Sequence, residues 1–142
     1  MEDRFYKLFG TKKPIIAMVH LGALPGSPLY NKEIGITGLI KEAKKDLEAL
    51  QTAKFDAIMF GNENDRPYQL TVDTASTAAA AYIIGELKKD IQIPFGVDML
   101  WDPIATIALG TATKANFVRE IFTGTYSSDM GIWAPDAGKA LR

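Results

Sequence analysis

Four short apolar segments alternate with helical patterns along this chain, and this alternation restricts the folds that it can adopt. The segments cover residues 15–19, 55–60, 94–100 and 116–122. Each is nearly continuous in apolar residues and bounded by turn-forming residues, which is typical of strands buried on both faces of a parallel sheet. Helices between consecutive strands imply parallel pairing with right-handed crossovers.

The helices are predicted from spacing and from their start signals. Apolar residues recur at helical intervals over residues 36–50 and again over about 73–89, where an alanine cluster indicates close packing on the strands. Asp102 followed by Pro103 is an N-cap residue before a proline at the first helical position. Pro135 is expected to open a fourth helix.

Loop lengths predict which end of the sheet is functional. Connections from helix to strand are short, whereas those from strand to helix are long, at residues 21–35, 61–72 and 123–134. In parallel α/β proteins the ligand face lies beyond the carboxyl ends of the strands, so the long loops are on the expected side.

Two folds fit this pattern: half of a (β/α)8 barrel, or a small doubly wound sheet of the flavodoxin type. No phosphate-binding GxxxxGK[ST] or GxGxxG sequence opens a helix, which favours the barrel. A whole barrel takes roughly 250 residues. The 142 residues are therefore predicted to form a single α/β domain, the N-terminal half of a TIM-type (β/α)8 barrel, with four parallel βα units. Its open sheet edges predict a homo-oligomer or association with a complementary half-barrel.

Composition excludes several classes of partner. A formal net charge of −1 provides no basic surface, so neither nucleic acid nor an anionic membrane is expected as a partner. No apolar run approaches the roughly 20 residues that a membrane span needs. The first ten residues are too charged for a signal peptide, and the absence of cysteine fits a reducing compartment. These features predict a cytoplasmic protein.

The predicted carboxyl ends of the strands carry the candidate site residues. The candidates are His20, Asn62, Glu63, Asp98, Arg119, Thr123 and Tyr126. The only histidine, His20, is a candidate general acid or base because histidine changes charge near neutral pH. The alternative is that its imidazole is tied to a neighbouring group and only orders the rim.

Asp98 is the second catalytic candidate because it interrupts an apolar strand. A carboxylate there needs a partner or accepts a raised pKa, and Arg119 on the next strand is the natural partner. Together they would orient a phosphate or an enolate; alternatively they are a structural ion pair. Strand alternation predicts that Glu120 points away from Arg119, so that only Arg119 faces the barrel interior.

The remaining candidates belong to two polar loops. Asn62 and Glu63 lie in GNENDRPY, whose oxygen-rich side chains either bind Mg²⁺ or serve turn chemistry. No dedicated ligand spacing is present, so no metal is predicted and no cofactor is identified, and Glu63 is the residue to test. Thr123 and Tyr126 in TGTYSSDMG offer hydroxyls to a sugar or phosphate. Trp101 and Trp133 are expected to pack rather than to stack on a ligand.

The loop motifs resemble those of a known family, over about residues 9–142. The matching segments are MVHLGALPGSP, FDAIMFGNENDRPY, IPFGVDMLWDPIATIALG and ANFVREIFTGTYSSDMGIW. They are similar to the BtpA/SgcQ family. The resemblance implies a (β/α)8 barrel of the ribulose-phosphate-binding type, of which this chain lacks the second half. One branch of the family is associated with photosystem I biogenesis and another with a sugar phosphotransferase gene cluster, and FVREIFTGTYSSDMG resembles the latter.

Two functions follow from these observations. The first is an enzyme acting on a small sugar or sugar phosphate, with His20 and Asp98 as acid and base and Arg119 as an anion clamp. Its partner would be a small anionic metabolite. The second is an assembly factor that binds a protein through the barrel rim without chemistry.

Overall fold

A parallel sheet of four strands forms the centre of the computed structural model, which describes residues 3–142. The strands pair in the order β1-β2-β3-β4. They are β1 Ile16–His20, β2 Ala57–Gly61, β3 Phe95–Asp98 and β4 Phe117–Val118. Helices connect consecutive strands, so the predicted α/β class with parallel βα units is confirmed, and the architecture is that of a partial βα barrel.

The three crossover helices correspond to the predicted ones. They are α2 Gly35–Thr52, α3 Thr74–Leu87 and α4 Pro103–Thr113. The Asp102 carboxylate accepts hydrogen bonds from the backbone N–H groups of Ile104 and Ala105, which confirms the predicted N-cap of α4. A 3-10 turn at Lys88–Asp90 follows α3, and the chain finishes with the short helix α5 Ala137–Ala140.

A helix and a hairpin of two strands were not predicted. Helix α1 Arg4–Phe9 begins after Asp3, which caps it, and ends at Gly10 in a left-handed conformation with φ of 67°. Strands β5 Tyr126–Ser128 and β6 Gly131–Trp133 form an antiparallel hairpin inside the segment expected to be a loop. In both cases the element is too short to show a clear periodicity.

The core lies between the sheet and the three crossover helices. Val19, Phe60 and Val97 point towards these helices and are fully buried. The helices supply the opposing side chains, among them Leu39, Leu47, Ile83, Ile84 and Leu109. Because strand side chains alternate, the neighbouring residues of each strand project to the opposite face, which would be the inside of a barrel.

The inner face is filled at its amino-terminal end by aromatic rings. A Cβ at Gly96 would lie 2.3 Å from the Phe117 ring, so only glycine fits beside that ring on the next strand. The Phe9 ring packs edge-on against Phe117 with centroids 5.4 Å apart, which places α1 under the sheet. Polar side chains therefore collect only at the carboxyl end of this face.

The fourth strand is shorter than predicted. The apolar pattern predicts a strand over residues 116–122, whereas the pairing of β4 with β3 ends at Val118. The Arg119 N–H still donates to the Val97 carbonyl at 3.2 Å, and the chain then leaves the sheet, so the alternation rule no longer determines where residue 120 points. No helix among residues 3–142 is long and apolar enough to cross a membrane.

The open sheet predicts association. Within the described residues, β1 and β4 each pair with only one neighbouring strand. Ile15, just before β1, and Ile16, its first residue, are both exposed. We expect the chain to associate with itself or with a complementary half-barrel, because free strand edges and an uncovered inner face favour pairing. Sedimentation at micromolar concentration tests this expectation. A compact monomer that binds no hydrophobic dye would contradict it.

Candidate functional site

Parallel register brings the predicted catalytic residues to one row across the sheet. His20 pairs with Gly61, and Gly61 pairs with Asp98. Residues in register on parallel strands project to the same side, so His20 and Asp98 both lie on the inner face. His20 is exposed, and its ring makes no hydrogen bond to another of residues 3–142.

An asymmetric ion pair joins Asp98 to Arg119. The guanidinium Nε and Nη2 donate to Asp98 Oδ2 at 2.9 and 2.7 Å. The Asp98 side chain is 2% exposed, whereas that of Arg119 is 57% exposed. A guanidinium has five N–H donors, so this one keeps donors for an anion at the open end of the face.

The second Asp98 oxygen, Oδ1, is buried without a hydrogen-bond partner among the described residues. The Glu120 carboxyl lies beside the Asp98 carboxylate, and it can donate to it only when protonated. The expectation that Glu120 points away from Arg119 is therefore wrong. It extended strand alternation past Val118, where β4 has already ended.

Backbone donors hold the Glu120 carboxyl group in place. Its Oε2 accepts from the N–H of Trp101 at 3.0 Å and its Oε1 accepts from the N–H of Ile121 at 2.9 Å. Burial and the neighbouring charge of Asp98 raise the pKa of Glu120 to about 7, despite these two hydrogen bonds. The pair can therefore share one proton near neutral pH.

Burial also raises the pKa of Asp98. The Arg119 guanidinium opposes this shift, while the nearby charge of Glu63 adds to it. Glu63 thus belongs to the same group of side chains, as predicted from its place after β2. Its backbone carbonyl accepts a hydrogen bond from the Tyr68 hydroxyl at 2.8 Å, which fixes the chain at this point.

Asn62 has a different environment from the other candidates. Its amide oxygen accepts from the N–H of Leu100 at 2.8 Å, and its amide nitrogen donates to Asp65 Oδ2 at 3.3 Å. Asp65 Oδ1 in turn accepts from the N–H of Leu24 at 2.7 Å. These buried bonds tie together the loops after β1, β2 and β3. Both polar groups of Asn62 are thus already used within the protein.

A cleft of about 120 Å³ lies between the loops that follow β1 and β2 and the start of α3. Its lining includes Asn62, Asp65, Tyr68, Asp73 and Ser76. Burial raises the pKa of Asp65, and the charge of Asp73 adds to that shift. The cleft does not contain Asp98, Arg119 or Glu120, so of the predicted site residues it includes only Asn62.

Thr123 and Tyr126 lie on the segment that leads into the hairpin. Both are exposed, and the Tyr126 hydroxyl donates to the carbonyl of Thr123 at 3.1 Å. No hydrogen bond joins either side chain to Asp98 or Arg119 within residues 3–142. Their roles as substrate ligands remain predictions.

The arrangement provides acid, base and anion-binding groups at one place. Residues 3–142 contain no group of three histidine, aspartate or glutamate side chains placed to hold a metal ion. Carboxyl groups can transfer protons, and a guanidinium can bind an anion. Sequence reasoning placed Asp98, Arg119 and Glu63 at this edge but did not place Glu120 there.

Replacing Asn62 with alanine should destabilise the protein. The substitution leaves the buried N–H of Leu100 without its acceptor and Asp65 without one donor, at a cost of about 2 to 3 kcal/mol. Urea unfolding measures this loss. Gln69→Ala on the same exposed loop is the control, with an expected change below about 0.5 kcal/mol. Equal stability of the two variants would refute the structural role of Asn62.

The Glu120 proton should make stability depend on pH. The native state holds this proton up to about pH 7, whereas the unfolded chain loses it near the ordinary value of 4.5. Stability therefore falls as the pH rises between those values, because the native state binds more protons there. The contribution is on the order of 1 kcal/mol after solvent screening at this half-buried site.

Glu120→Gln should remove that part of the pH dependence, since an amide stays neutral. Unfolding free energies at pH 5 and pH 7.5 would be compared for the wild type and the variant. Glu48→Gln, which changes an exposed glutamate on α2, should keep the wild-type slope. A wild-type slope in Glu120→Gln would show that Glu120 is already ionised at pH 5.

Comparison with known proteins identifies relatives along nearly the whole chain. The model of the BtpA family matches residues 11–142. The sgc region protein SgcQ of Escherichia coli is 50% identical over 136 residues, which cover 96% of this chain and 51% of SgcQ. The photosystem I biogenesis protein BtpA of Synechocystis is 29% identical over 140 residues, covering 96% of this chain and 48% of that protein.

The relatives extend to archaea. An uncharacterized protein of Pyrococcus horikoshii is 38% identical over 122 residues, covering 84% of this chain and 46% of its own. The chain spans about half the length of the curated relatives it matches. No solved structure matches it. The match of the family model to nearly the whole chain establishes that this chain belongs to the BtpA family.

Proposed function

We propose that this protein is an enzyme that acts on a small sugar or sugar phosphate by acid–base chemistry. The observation that carries the proposal is the buried Asp98 carboxylate, which contacts both an exposed guanidinium and a second carboxyl group. Paired carboxyl groups whose environments raise their pKa values are characteristic of acid–base sites. The resemblance to the sugar-cluster branch of the family supports the substrate class.

Each group has a distinct part in the proposed reaction. Ionised Asp98 accepts a proton from the substrate, and protonated Glu120 donates one, so that the pair exchanges protons with bound substrate. Arg119 binds the anionic group of the substrate with the donors that it does not use on Asp98. His20, on the same inner face, is a second acid or base candidate.

The hydroxyl groups of a sugar have acceptors available at the same edge. The Glu63 carboxylate lies close enough to Asp98 to affect its pKa, and it can accept hydrogen bonds from substrate hydroxyls. Thr123 and Tyr126 on the following loop are proposed to supplement these contacts. We further propose that the enzyme is cytoplasmic, which fits the absence of cysteine.

A second candidate function is a non-catalytic assembly factor. Ile132 in the β5–β6 hairpin is 76% exposed, and an exposed apolar side chain at this place suits contact with a protein. The Synechocystis relative is named a photosystem I biogenesis protein, and a role in biogenesis is compatible with this alternative. An assembly factor would lose complex formation on changes at Ile132 and would be insensitive to loss of the Asp98 charge.

Asp98→Asn tests the enzymatic proposal. Because the Arg119 side chain is 57% exposed, its guanidinium stays solvated when it loses the Asp98 charge. The substitution also removes the repulsion between the Asp98 and Glu120 carboxylates. We therefore expect stability to change by less than about 1 kcal/mol, while turnover falls roughly 10²- to 10⁴-fold.

The measurement has two parts. Thermal shift with a panel of sugar phosphates identifies a ligand of the wild type, and product formation from that ligand is then followed by mass spectrometry. Glu48→Gln serves as the matched control. Loss of several kcal/mol with unchanged ligand affinity would mean that Asp98 and Arg119 are a structural pair.

A further inference from the structure

We infer that Trp101, Trp133 and Tyr126 form an aromatic wall against which the sugar ring of the substrate stacks, with Trp101 as the residue in contact with the ring. This inference rests on the proposed function and adds to it a subsite for the carbon skeleton. The sequence predicts only that the two tryptophans pack. The structure shows that the two tryptophans pack against each other, with the rings of Trp101 and Tyr126 partly exposed on either side of Trp133.

The wall has a buried centre and accessible outer rings. Trp133 is 5% exposed, and the Trp101 ring meets it edge-on with centroids 5.1 Å apart. On the other side, the Tyr126 ring lies 5.7 Å from Trp133. Trp101 is half-buried and Tyr126 is 43% exposed. The packing fixes the orientation of the outer rings while part of their surface faces solvent.

A hydrogen bond connects this wall to the acid pair. The backbone N–H of Trp101 donates to Glu120 Oε2 at 3.0 Å, and the Glu120 carboxyl lies beside Asp98. Asp98 in turn holds Arg119 at 2.7 Å. The aromatic, acidic and cationic parts thus follow one another along a single edge of the sheet.

Trp101 is the third residue of a turn from Met99 to Asp102, which the Asp102 N–H closes by donating to the Met99 carbonyl at 3.0 Å. Its φ is 70°, a left-handed conformation that costs a bulky residue energy and that glycine or asparagine adopts more readily. Among the described residues the other non-glycine residues with positive φ are Lys54 and Lys114. Lys114 is the C-cap of α4, and Lys54 follows the C-cap of α2. Trp101 differs from both because its turn directly follows β3, at the edge where Asp98 and Glu120 lie.

The chemistry of a sugar phosphate matches these three parts. The C–H face of a sugar ring is apolar with slightly positive hydrogens, which suits the negative face of an aromatic ring. Its hydroxyls suit carboxylate acceptors, and its phosphate suits the Arg119 guanidinium. The wall would therefore distinguish a sugar phosphate from a bare anion.

Binding measurements on the full chain test this inference. Trp101→Asn keeps the backbone N–H and tolerates the left-handed conformation, while it removes the ring. Isothermal titration would use glucose 6-phosphate, fructose 6-phosphate, ribose 5-phosphate and inorganic phosphate as probes. We expect about tenfold weaker binding of the sugar phosphate to Trp101→Asn, with unchanged binding of inorganic phosphate. Tyr82→Ala, at an exposed ring on α3, should match the wild type.

A second variant covers the case in which Trp101→Asn does not fold. Trp133→Phe leaves Trp101 as the sole tryptophan of the chain, which contains two. Its emission should change when a sugar phosphate binds and should stay constant with inorganic phosphate. Unchanged emission during calorimetrically detected binding, or equal affinities of Trp101→Asn and wild type, would overturn the inference while the proposed function stands. Absence of binding of every sugar phosphate to the wild type would contradict the proposed function itself.

Discussion

The burial of the Asp98 carboxylate at the end of β3 determines how the surrounding side chains are arranged. A carboxylate that is 2% exposed requires compensation, and Arg119 supplies it to one oxygen only. The other oxygen lacks a hydrogen-bond donor, and a protonated Glu120 carboxyl group can supply one. Compensation of the buried Asp98 carboxylate thus requires a cation and a second carboxyl group beside it. Such groups are the ones that acid–base chemistry uses.

A second set of buried hydrogen bonds keeps that place rigid. Asn62 links the backbone after β3 to Asp65, and Asp65 links to the backbone after β1. The residues that hold the loops together are therefore different from the Asp98, Arg119 and Glu120 cluster, although both sets come directly after the same strands.

The sequence predicted the parts of the structure that depend on local patterns. Apolar runs located the four sheet strands, and the Asp102–Pro103 pair located the start of α4. The Asp98–Arg119 pair followed from a charge in an apolar strand, because burial forces such a charge to find a partner.

The parts that the sequence did not predict depend on where local patterns stop. Glu120 was assigned to the wrong side because nothing in the apolar run 116–122 shows that pairing ends at Val118. The bridging hydrogen bonds of Asn62 were not predicted, because an exposed loop amide and a buried bridging amide have the same sequence signature. The left-handed backbone at Trp101 belongs to a turn from Met99 to Asp102, whose third residue is not the glycine or asparagine that would have signalled it.

The aromatic rings at the amino-terminal end of the inner face limit the directions from which a small molecule can reach the polar edge. Phe117 lies over Gly96, and Phe9 lies against Phe117. These rings form an apolar floor beneath the polar edge of β3 and β4. A ligand of the proposed site would therefore reach Asp98 and Arg119 from the side of the loops that follow the strands, where the Arg119 side chain is exposed. The same loops would control both its entry and its release.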